Sequence, residues 1–251
     1  MSSQKFNPLL LKAFLERDIE TFKKLLKEGE KGVVWMYQYN PYTIFTRAAE
    51  NYDLEILEIM LANGTDVNEN INGYTALRQV IGSQSPGDWR TIADFLIDNG
   101  ANINILETPN KTCLYSASRF SFEREEKWRY LHGKGLDINH KNNNNDTILF
   151  CIAGLDHLKI LVELGFDITQ TDKNGETCIM RSLEYFKQSK FSSDDKIAFD
   201  KDYAHNIDFA LKNGVNINQR NRWGETALSI ARAKFEDNTP LIKFLIANGA
   251  I

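Results

Sequence analysis

The chain repeats one short linker pattern, and this repetition constrains the fold more than any other feature. In NGTDVNENINGYTAL, residues 63–77, a glycine precedes a polar-apolar-polar run, a second glycine and a Thr-x-Leu. The stretches 99–114, 134–149, 164–179 and 213–228 follow the same order, with asparagine in place of the second glycine at Asn110 and Asn145 and isoleucine in place of the leucine at Ile179. From the first glycine to the threonine the distance is 11 residues once and 12 residues four times. Such repetition predicts stacked copies of one helical unit rather than a closed globule.

The glycines that open each linker recur at nearly constant spacing. Their successive separations are 35, 36, 35, 30, 49 and 35 residues. These opening glycines are Gly29, Gly64, Gly100, Gly135, Gly165, Gly214 and Gly249. Each follows an apolar run with helical periodicity, and glycine is the usual residue just beyond a helix C-terminus, where φ becomes positive. The pattern therefore predicts that a helix ends before each opening glycine.

Three further positions of the linker predict local structure. A β-branched residue three positions after the opening glycine predicts an extended, half-buried hairpin arm. This position holds Val67, Ile103, Ile138, Ile168 and Ile217. Two residues before the threonine lie residues that tolerate a left-handed backbone, Gly73, Asn110, Asn145, Gly175 and Gly224. The threonine itself predicts the N-cap of the next helix.

Helix, turn, helix and polar hairpin at a period of about 34 residues resemble the ankyrin repeat over nearly the whole chain. The resemblance implies an all-α solenoid of about seven helix-turn-helix units with short β-hairpin loops. The family's Thr-Pro-Leu-His motif reads here TALR, TCLY, TILF, TCIM and TALS, so its proline and histidine are absent. Because the family uses that histidine for hydrogen bonds between adjacent loops, the departure implies weaker coupling between these copies.

The repeats leave no room for a separate domain. We expect one domain over residues 1–251, with an N-terminal capping unit at 1–36 that begins its first helix at Pro8. Internal repeats are expected at 37–71, 72–106, 107–141, 142–171 and 172–220, and a C-terminal unit at 221–251. Added length at 82–88 and 187–204 predicts loops on one side of the solenoid, where insertions cost the stack little.

Composition excludes several classes of function. The net charge is −4, and no Lys/Arg block suggests a nucleic-acid partner. No apolar window has the length of a membrane span or a signal sequence, so we expect neither a membrane partner nor export by that route. The three cysteines lack CxxC spacing, which favours a reducing compartment and a cytoplasmic location. Abundant Asn, Ile and Lys favour a bacterial source.

The sequence gives no support for catalysis. Cys113 and Cys178 occupy a position where other copies have alanine, which indicates packing. The four histidines lie at unrelated repeat positions, without metal-ligand spacing, and no phosphate-binding glycine motif occurs. We therefore expect no catalytic residue, no cofactor and no metal. The rival hypothesis, an enzyme, requires a pocket that gathers Cys or His with carboxylates.

The resemblance implies that hairpin tips and the exposed face of the inner helices form a concave groove for a protein partner. In the family, certain positions of each repeat face this groove. At these positions the chain has ten residues of types that are common at protein interfaces. The candidates are Tyr39, Tyr42, Ile71, Tyr74, Lys111, Arg119, Phe120, Tyr185, Arg222 and Trp223. For Tyr42 and Tyr74 the alternative is packing over the hairpin. Trp223, at a solvent-facing tip, is the strongest candidate.

The expected function is that of a non-catalytic protein-protein interaction module. A sharper alternative is a bacterial immunity protein that neutralises a cognate toxin by occlusion, and another is a secreted effector that acts on host proteins. The apolar C-terminal segment PLIKFLIANGA also suggests self-association through the last unit, since a terminal repeat normally needs a polar outer face.

Overall fold

A computed structural model describes residues 8–29, 35–37, 40–71, 73–83, 87–104, 124–141, 147, 157–185, 204–236 and 239–251. Within these residues it contains twelve helices and one two-stranded sheet. The helices are α1 (Pro8–Leu15), α2 (Ile19–Lys27), α3 (Ile44–Glu50), α4 (Leu54–Ala62), α5 (Ala76–Gly82), α6 (Trp89–Asp98), α7 (Arg124–Gly133), α8 (Leu158–Glu163), α9 (Cys178–Tyr185), α10 (204–212), α11 (Ala227–Arg232) and α12 (Pro240–Ala247). The strands β1 (Trp35–Tyr37) and β2 (Asn40–Tyr42) pair antiparallel, with Trp35 opposite Tyr42.

The chain forms two compact units, residues 1–136 and 137–251, and each is built from helical hairpins. In the first unit α1 packs on α2, α3 on α4 and α5 on α6, while α3 also packs on α5 of the next hairpin. In the second unit α9 packs on α11, and α11 on α12. The predicted all-helical repeat architecture is confirmed. The count of seven repeats and the single domain stay predictions.

The helix ends are those predicted from the opening glycines. All seven have a positive φ, between 81° and 93°. The residue after the glycine donates its N–H to the carbonyl five positions earlier, as in the Schellman motif. This bond is formed by Thr65, Ala101, Leu136, Phe166, Val215 and Ala250. Gly73, Gly175 and Gly224 also have a positive φ, as predicted, whereas Asn110 and Asn145 lie outside the described residues.

The helix starts are confirmed where they are described. Helix α1 begins at Pro8. Thr43, Thr75 and Thr226 have an extended backbone, and each accepts a hydrogen bond from the N–H three residues later, which is N-capping. The predicted loops at 82–88 and 187–204 fall largely outside the described residues.

The β-branched position of the linker is a turn, so the predicted extended arm is wrong. In the first copy Asp66 Oδ1 accepts the N–H of Asn68 at 2.9 Å, which closes a turn around Val67. Asn102, Asp137, Asp167 and Asn216 accept the corresponding bond in later copies. The Asp or Asn side chain offers the backbone a local partner and so competes with strand formation. The apolar side chains in this column are nevertheless buried or half-buried, as predicted.

A column of asparagines connects successive loops. Asn68 donates from Nδ2 to the carbonyl of Gly100 at 2.9 Å and accepts at Oδ1 from the N–H of Asn102 at 2.7 Å. Each such asparagine lies four residues after an opening glycine. Its side chain donates to the carbonyl of the next opening glycine, and in most copies it also accepts the N–H of the residue two positions after that glycine. The other members are Asn104, Asn139 and Asn218. The loops are therefore coupled, although the family's histidine is absent.

The asparagine column is interrupted at Thr169. Both its N–H and its hydroxyl bond to Asp167 Oδ1 within the same loop, at 3.0 Å and 2.6 Å. Its methyl group faces Gly214, since a Cβ built on that glycine would lie 3.4 Å from Thr169 Cγ2. Among the described residues, no hydrogen bond connects the Thr169 side chain to the following loop. The loops are close enough for the missing asparagine contact, but the side chain cannot make it.

A buried lysine connects α7 to the end of α5. Lys127 is 2% exposed, and its Nζ donates to the carbonyls of Ile81 at 3.1 Å and Ser83 at 3.3 Å. Terminal carbonyls of a helix lack intrahelical partners, so a cation placed there satisfies them and interacts favourably with the helix dipole. In the second unit Lys234 Nζ likewise donates to the carbonyl of Leu183 in α9 at 2.9 Å. Neither contact is predicted from the sequence.

We expect Asn68→Ala to lower the free energy of unfolding by about 2 kcal/mol, because it removes two hydrogen bonds of ordinary strength. For a chain of this length the midpoint should fall by about 5 °C. The measurement is urea and thermal unfolding followed by circular dichroism. Asn51→Ala is the matched control, since Asn51 is exposed at the end of α3 and its side chain makes no hydrogen bond to the described residues. Equal losses in both variants would contradict a stabilising role for the asparagine contacts.

We expect Thr169→Asn to raise the free energy of unfolding by about 1 kcal/mol. The new amide is placed to bond to the carbonyl of Gly214 and the N–H of Asn216, and intramolecular hydrogen bonds contribute about this much. The midpoint of urea unfolding measures the gain. Thr169→Ala serves as the control, because it removes the hydroxyl without supplying an amide. If Thr169→Asn is no more stable than Thr169→Ala, the two loops are not spaced for this contact.

Candidate protein-interaction surface

Two tyrosines of the first unit lie side by side just before the threonine caps. Tyr42 ends strand β2, and Tyr74 forms an isolated antiparallel bridge with Ile71. Their ring centroids are 6.4 Å apart. Tyr42 is only 8% exposed, so for this residue the packing alternative describes the structure. Burial also raises the pKa of the Tyr42 phenol. Ile71 and Tyr74 are half-buried, so both are partly accessible to a partner.

An arginine lies over each of these rings. The guanidinium carbon of Arg78 is 4.3 Å from the centroid of Tyr74, and its Nη1 donates to the carbonyl of Gly73 at 2.8 Å. Arg47 is 5.6 Å from the centroid of Tyr42 and forms an ion pair with Glu50 at 2.7 Å. A guanidinium above an aromatic face is attracted by the ring quadrupole. Neither arginine was predicted from the sequence. Each lies over a tyrosine that is one of the sequence candidates.

The second unit presents one loop whose shape is fixed by a single asparagine. Asn221 Oδ1 accepts the N–H groups of Trp223 at 3.0 Å and Glu225 at 2.9 Å, and the carbonyl of Asn221 accepts the N–H of Gly224 at 2.9 Å. Trp223 is 55% exposed at the tip of this loop. The guanidinium carbon of Arg222 lies 4.2 Å from the centroid of its ring. We call residues 220–225 the Trp223 loop.

The preceding loop has the same construction and contacts the Trp223 loop. Asp172 Oδ1 accepts the N–H groups of Asn174 at 2.7 Å and Glu176 at 2.8 Å. The carbonyl of Asn174 accepts the N–H of Arg222 at 2.7 Å, which joins the two tips. In the first unit Asn70 Oδ1 similarly accepts the N–H of Gly73 at 2.6 Å. Each of these acceptors lies five residues before a threonine, and this spacing is visible in the sequence.

The other candidates from the sequence are not described structurally. Tyr39, Lys111, Arg119 and Phe120 lie outside the described residues, and Tyr185 ends helix α9 with a side chain that is not described. The structure therefore groups Tyr42, Ile71 and Tyr74 in the first unit and Arg222 and Trp223 in the second. The structure adds four residues to the candidate surface. Two are the arginines over the tyrosines, and two are the asparagine and the aspartate that fix the shape of the loops.

The described residues present little that is chemically reactive. Cys178 is 3% exposed, and burial raises the pKa of its thiol to about 12, so it is a packing residue rather than a nucleophile at neutral pH. Cys113 and Cys151 lie outside the described part of the chain. No group of three or more His, Cys, Asp or Glu side chains among the described residues is placed to hold a metal ion. None of the described helices combines the length and apolar character needed to cross a membrane.

The last helix keeps part of its apolar surface exposed. Leu245 is fully buried in its own unit and Phe244 is half-buried, whereas Ile246 is 46% and Ile251 80% exposed. The burial of Leu245, and in part of Phe244, removes much of the apolar surface that suggested self-association. Self-association through this unit stays a prediction.

The comparisons with known proteins agree with this architecture. Residues 46–142 match the family model for ankyrin repeats, which describes three copies, whereas no curated protein sequence matches the chain. The crystal structure of the human ASB11 ankyrin repeat domain is 20% identical, with a TM-score of 0.64, over 98% of this chain and 99% of that chain. An ankyrin repeat domain from Acinetobacter baumannii is 21% identical, with a TM-score of 0.58, over 82% and 98%.

A third similar structure is a complex. It contains the predatory endopeptidase Bd0816 from Bdellovibrio bacteriovorus and the immunity protein Bd3460. The match is 21% identical, with a TM-score of 0.60, over 81% of this chain and 96% of that chain. Likeness at this level of identity establishes the fold alone. Together with the glycine-ended helical hairpins, these matches show that residues 46–142 are ankyrin repeats and that the chain has the ankyrin-repeat fold.

Proposed function

We propose that this protein is a non-catalytic module of the cytoplasm that binds another protein through the tips of its hairpin loops. The observation that carries the proposal is Trp223, a large aromatic side chain that is 55% exposed on a loop of fixed shape. Ankyrin repeats typically serve as protein-interaction modules, and the surface is built from side chains that favour such contacts.

The residue types at the Trp223 loop are those that dominate binding energy at protein interfaces. Trp, Tyr and Arg are enriched among the few residues whose truncation costs most affinity. The guanidinium carbon of Arg222 lies over Trp223, 4.2 Å from the ring centroid, so the ring and the guanidinium are presented as one unit. A partner that covers this unit would desolvate a broad apolar face together with several hydrogen-bond donors.

The backbone of the loop is ordered before any partner arrives. Asn221 accepts two backbone N–H groups of the loop, and the N–H of Arg222 bonds to Asn174 in the neighbouring loop. Binding therefore does not have to order this segment, and the entropic cost of association is reduced. Rigid loops with an exposed aromatic tip are suited to binding without a large conformational change.

Ile71 and Tyr74 supply a second contact region in the first unit. Arg78 lies over the ring of Tyr74, and the largely buried ring of Tyr42 lies beside it. We include Tyr39, Lys111, Arg119, Phe120 and Tyr185 in the proposed surface because they occupy repeat positions that face the groove in ankyrin repeats. In this arrangement Tyr42 acts as a support rather than as a contact residue.

The sharper candidate function is that of an immunity protein, which neutralises a toxin by covering its active surface. One similar structure is a complex of an endopeptidase with its immunity protein, and this observation favours the candidate. Occlusion requires a rigid surface with a few strong anchors and no catalytic group, which is what the Trp223 loop offers. A secreted effector that acts on host proteins has no comparable structural support.

We expect Trp223→Ala to weaken binding to the partner about 30-fold, the effect of losing a central aromatic anchor of about 2 kcal/mol. The partner would first be isolated with the tagged wild-type protein, and its affinity for purified variants measured by titration calorimetry. The free energy of unfolding should change little, because the side chain is mostly exposed.

Leu15→Ala is the matched control for Trp223→Ala. Leu15 is 68% exposed on α1 and therefore offers an apolar side chain of similar accessibility outside the proposed surface. Its truncation should leave the affinity unchanged. If Trp223→Ala and Leu15→Ala bind equally well, the Trp223 loop is not the binding surface.

The immunity candidate predicts one tightly bound enzyme in stoichiometric amount. We expect the tagged protein from its native cells to co-purify with a single hydrolase or other toxin and to inhibit that enzyme in a purified assay. Trp223→Ala should raise the concentration needed for half-inhibition by the same factor as it weakens binding. Binding to several unrelated proteins, or to one enzyme whose activity is unchanged, would leave only the general interaction module.

A further inference from the structure

The Trp223 loop and its neighbour expose an excess of positive charge on a protein that is acidic as a whole. Lys173, Arg220 and Arg222 are all exposed at these two tips, although the net charge of the chain is −4. The two tips are in direct contact through the hydrogen bond from Arg222 N–H to the carbonyl of Asn174. The three cations therefore belong to one surface around Trp223.

The carboxylates of the same two loops are mostly occupied within the fold. Asp172 is 5% exposed and accepts two backbone N–H groups of its own turn. Glu176 is 3% exposed and pairs with Arg181 at 3.4 Å. Glu225 is exposed, and its Oε2 accepts a hydrogen bond from Asn221 at 2.9 Å. Only Glu225 among these acids offsets the positive charge of the exposed surface.

Two of the cations are available to an external partner. Within the described part of the chain, neither Lys173 nor Arg222 forms an ion pair, and neither side chain donates a hydrogen bond. Arg220 is partly committed, since its Nη1 donates to the carbonyl of Gly224 at 2.7 Å. The guanidinium of Arg222 stacks on Trp223, which leaves its edge for bidentate bonds to a carboxylate.

We propose that the Trp223 loop and Lys173 recognise an acidic segment of the partner protein, with carboxylates bound by Arg222 and Lys173 beside the ring of Trp223. This inference rests on the proposed function and adds the chemistry of the partner to it. Charge complementarity of this kind accelerates association and selects among partners more than it adds affinity. The surface is small and interrupted by Glu225, so it fits a short acidic peptide segment better than a nucleic-acid backbone.

The test uses the whole chain labelled with 5-fluorotryptophan and followed by fluorine NMR. Of its four tryptophans, Trp89 and Trp128 are buried, and Trp223→Phe assigns the resonance of Trp223. The probe is a short peptide of alternating Glu and Gly. We expect it to shift the Trp223 resonance at about 1 mM, the range expected of a few exposed charge contacts. The shift should vanish in about 0.5 M NaCl, where screening acts within a few ångströms.

Matched peptides and variants make the test specific. Peptides of alternating Gln and Gly or Lys and Gly should leave the Trp223 resonance in place. Lys173→Glu with Arg222→Glu should weaken the response about tenfold, while the Trp89 and Trp128 resonances confirm that the fold is kept. Lys159→Glu with Lys243→Glu changes the net charge equally at two exposed residues of α8 and α12, and it should have no effect.

Several outcomes would overturn the inference. These are an equal response to the Gln-Gly peptide, an equal loss in the control double variant, no response to the Glu-Gly peptide, and a stronger response to oligothymidylate than to that peptide. The proposed function has its own test, because Trp223→Ala is measured against the isolated partner. If Trp223→Ala binds the partner more weakly than the wild type but the acidic peptide does not shift the Trp223 resonance, the proposed interaction surface stands. Only the preference for acidic partners is then contradicted.

Discussion

The contact on which each unit depends is an asparagine side chain that bonds to the backbone of the next loop. In Asn68 and Asn139 the amide donates to a glycine carbonyl and accepts from an N–H two residues further on. An amide satisfies both backbone groups at once because it carries a donor and an acceptor a short distance apart. The opening glycine has a positive φ, which directs its carbonyl and the following residues toward that side chain. Helix termination and loop coupling are thus one arrangement.

Much of the fold was predictable because its signals are local. The opening glycines and the threonine caps depend on the backbone within a few residues, and both were identified correctly. The arm at Val67 was misjudged because polar-apolar-polar alternation is typical of a strand, whereas the Asp66 side chain closes a turn. The asparagine contacts were missed although their column is visible, because their partners lie about one repeat further along the chain. Lys127 was missed because its polar partners are main-chain carbonyls.

The candidate site was predictable to a smaller extent. The exposure of Trp223 was anticipated because a bulky ring in a short polar turn has no hydrophobic layer to enter. The burial of Tyr42 could not be predicted from the sequence, because it depends on the ring of Tyr74 in the next hairpin. Arg47 and Arg78 carry no sequence signature of their own, and their role follows from which ring each guanidinium covers.

Asn221 separates the shape of the Trp223 loop from its chemistry. The bonds that fix the loop involve the backbone of residues 222–225 and the side chain of Asn221, whereas the side chains of Arg222 and Trp223 project from it. Replacing the projecting residues need not disturb the turn or the helix that follows. If the proposed surface is the binding surface, natural variants can change their partner through positions 222 and 223 while residue 221 keeps the loop in shape. Divergence within a lineage should accumulate at the two former positions and spare the latter.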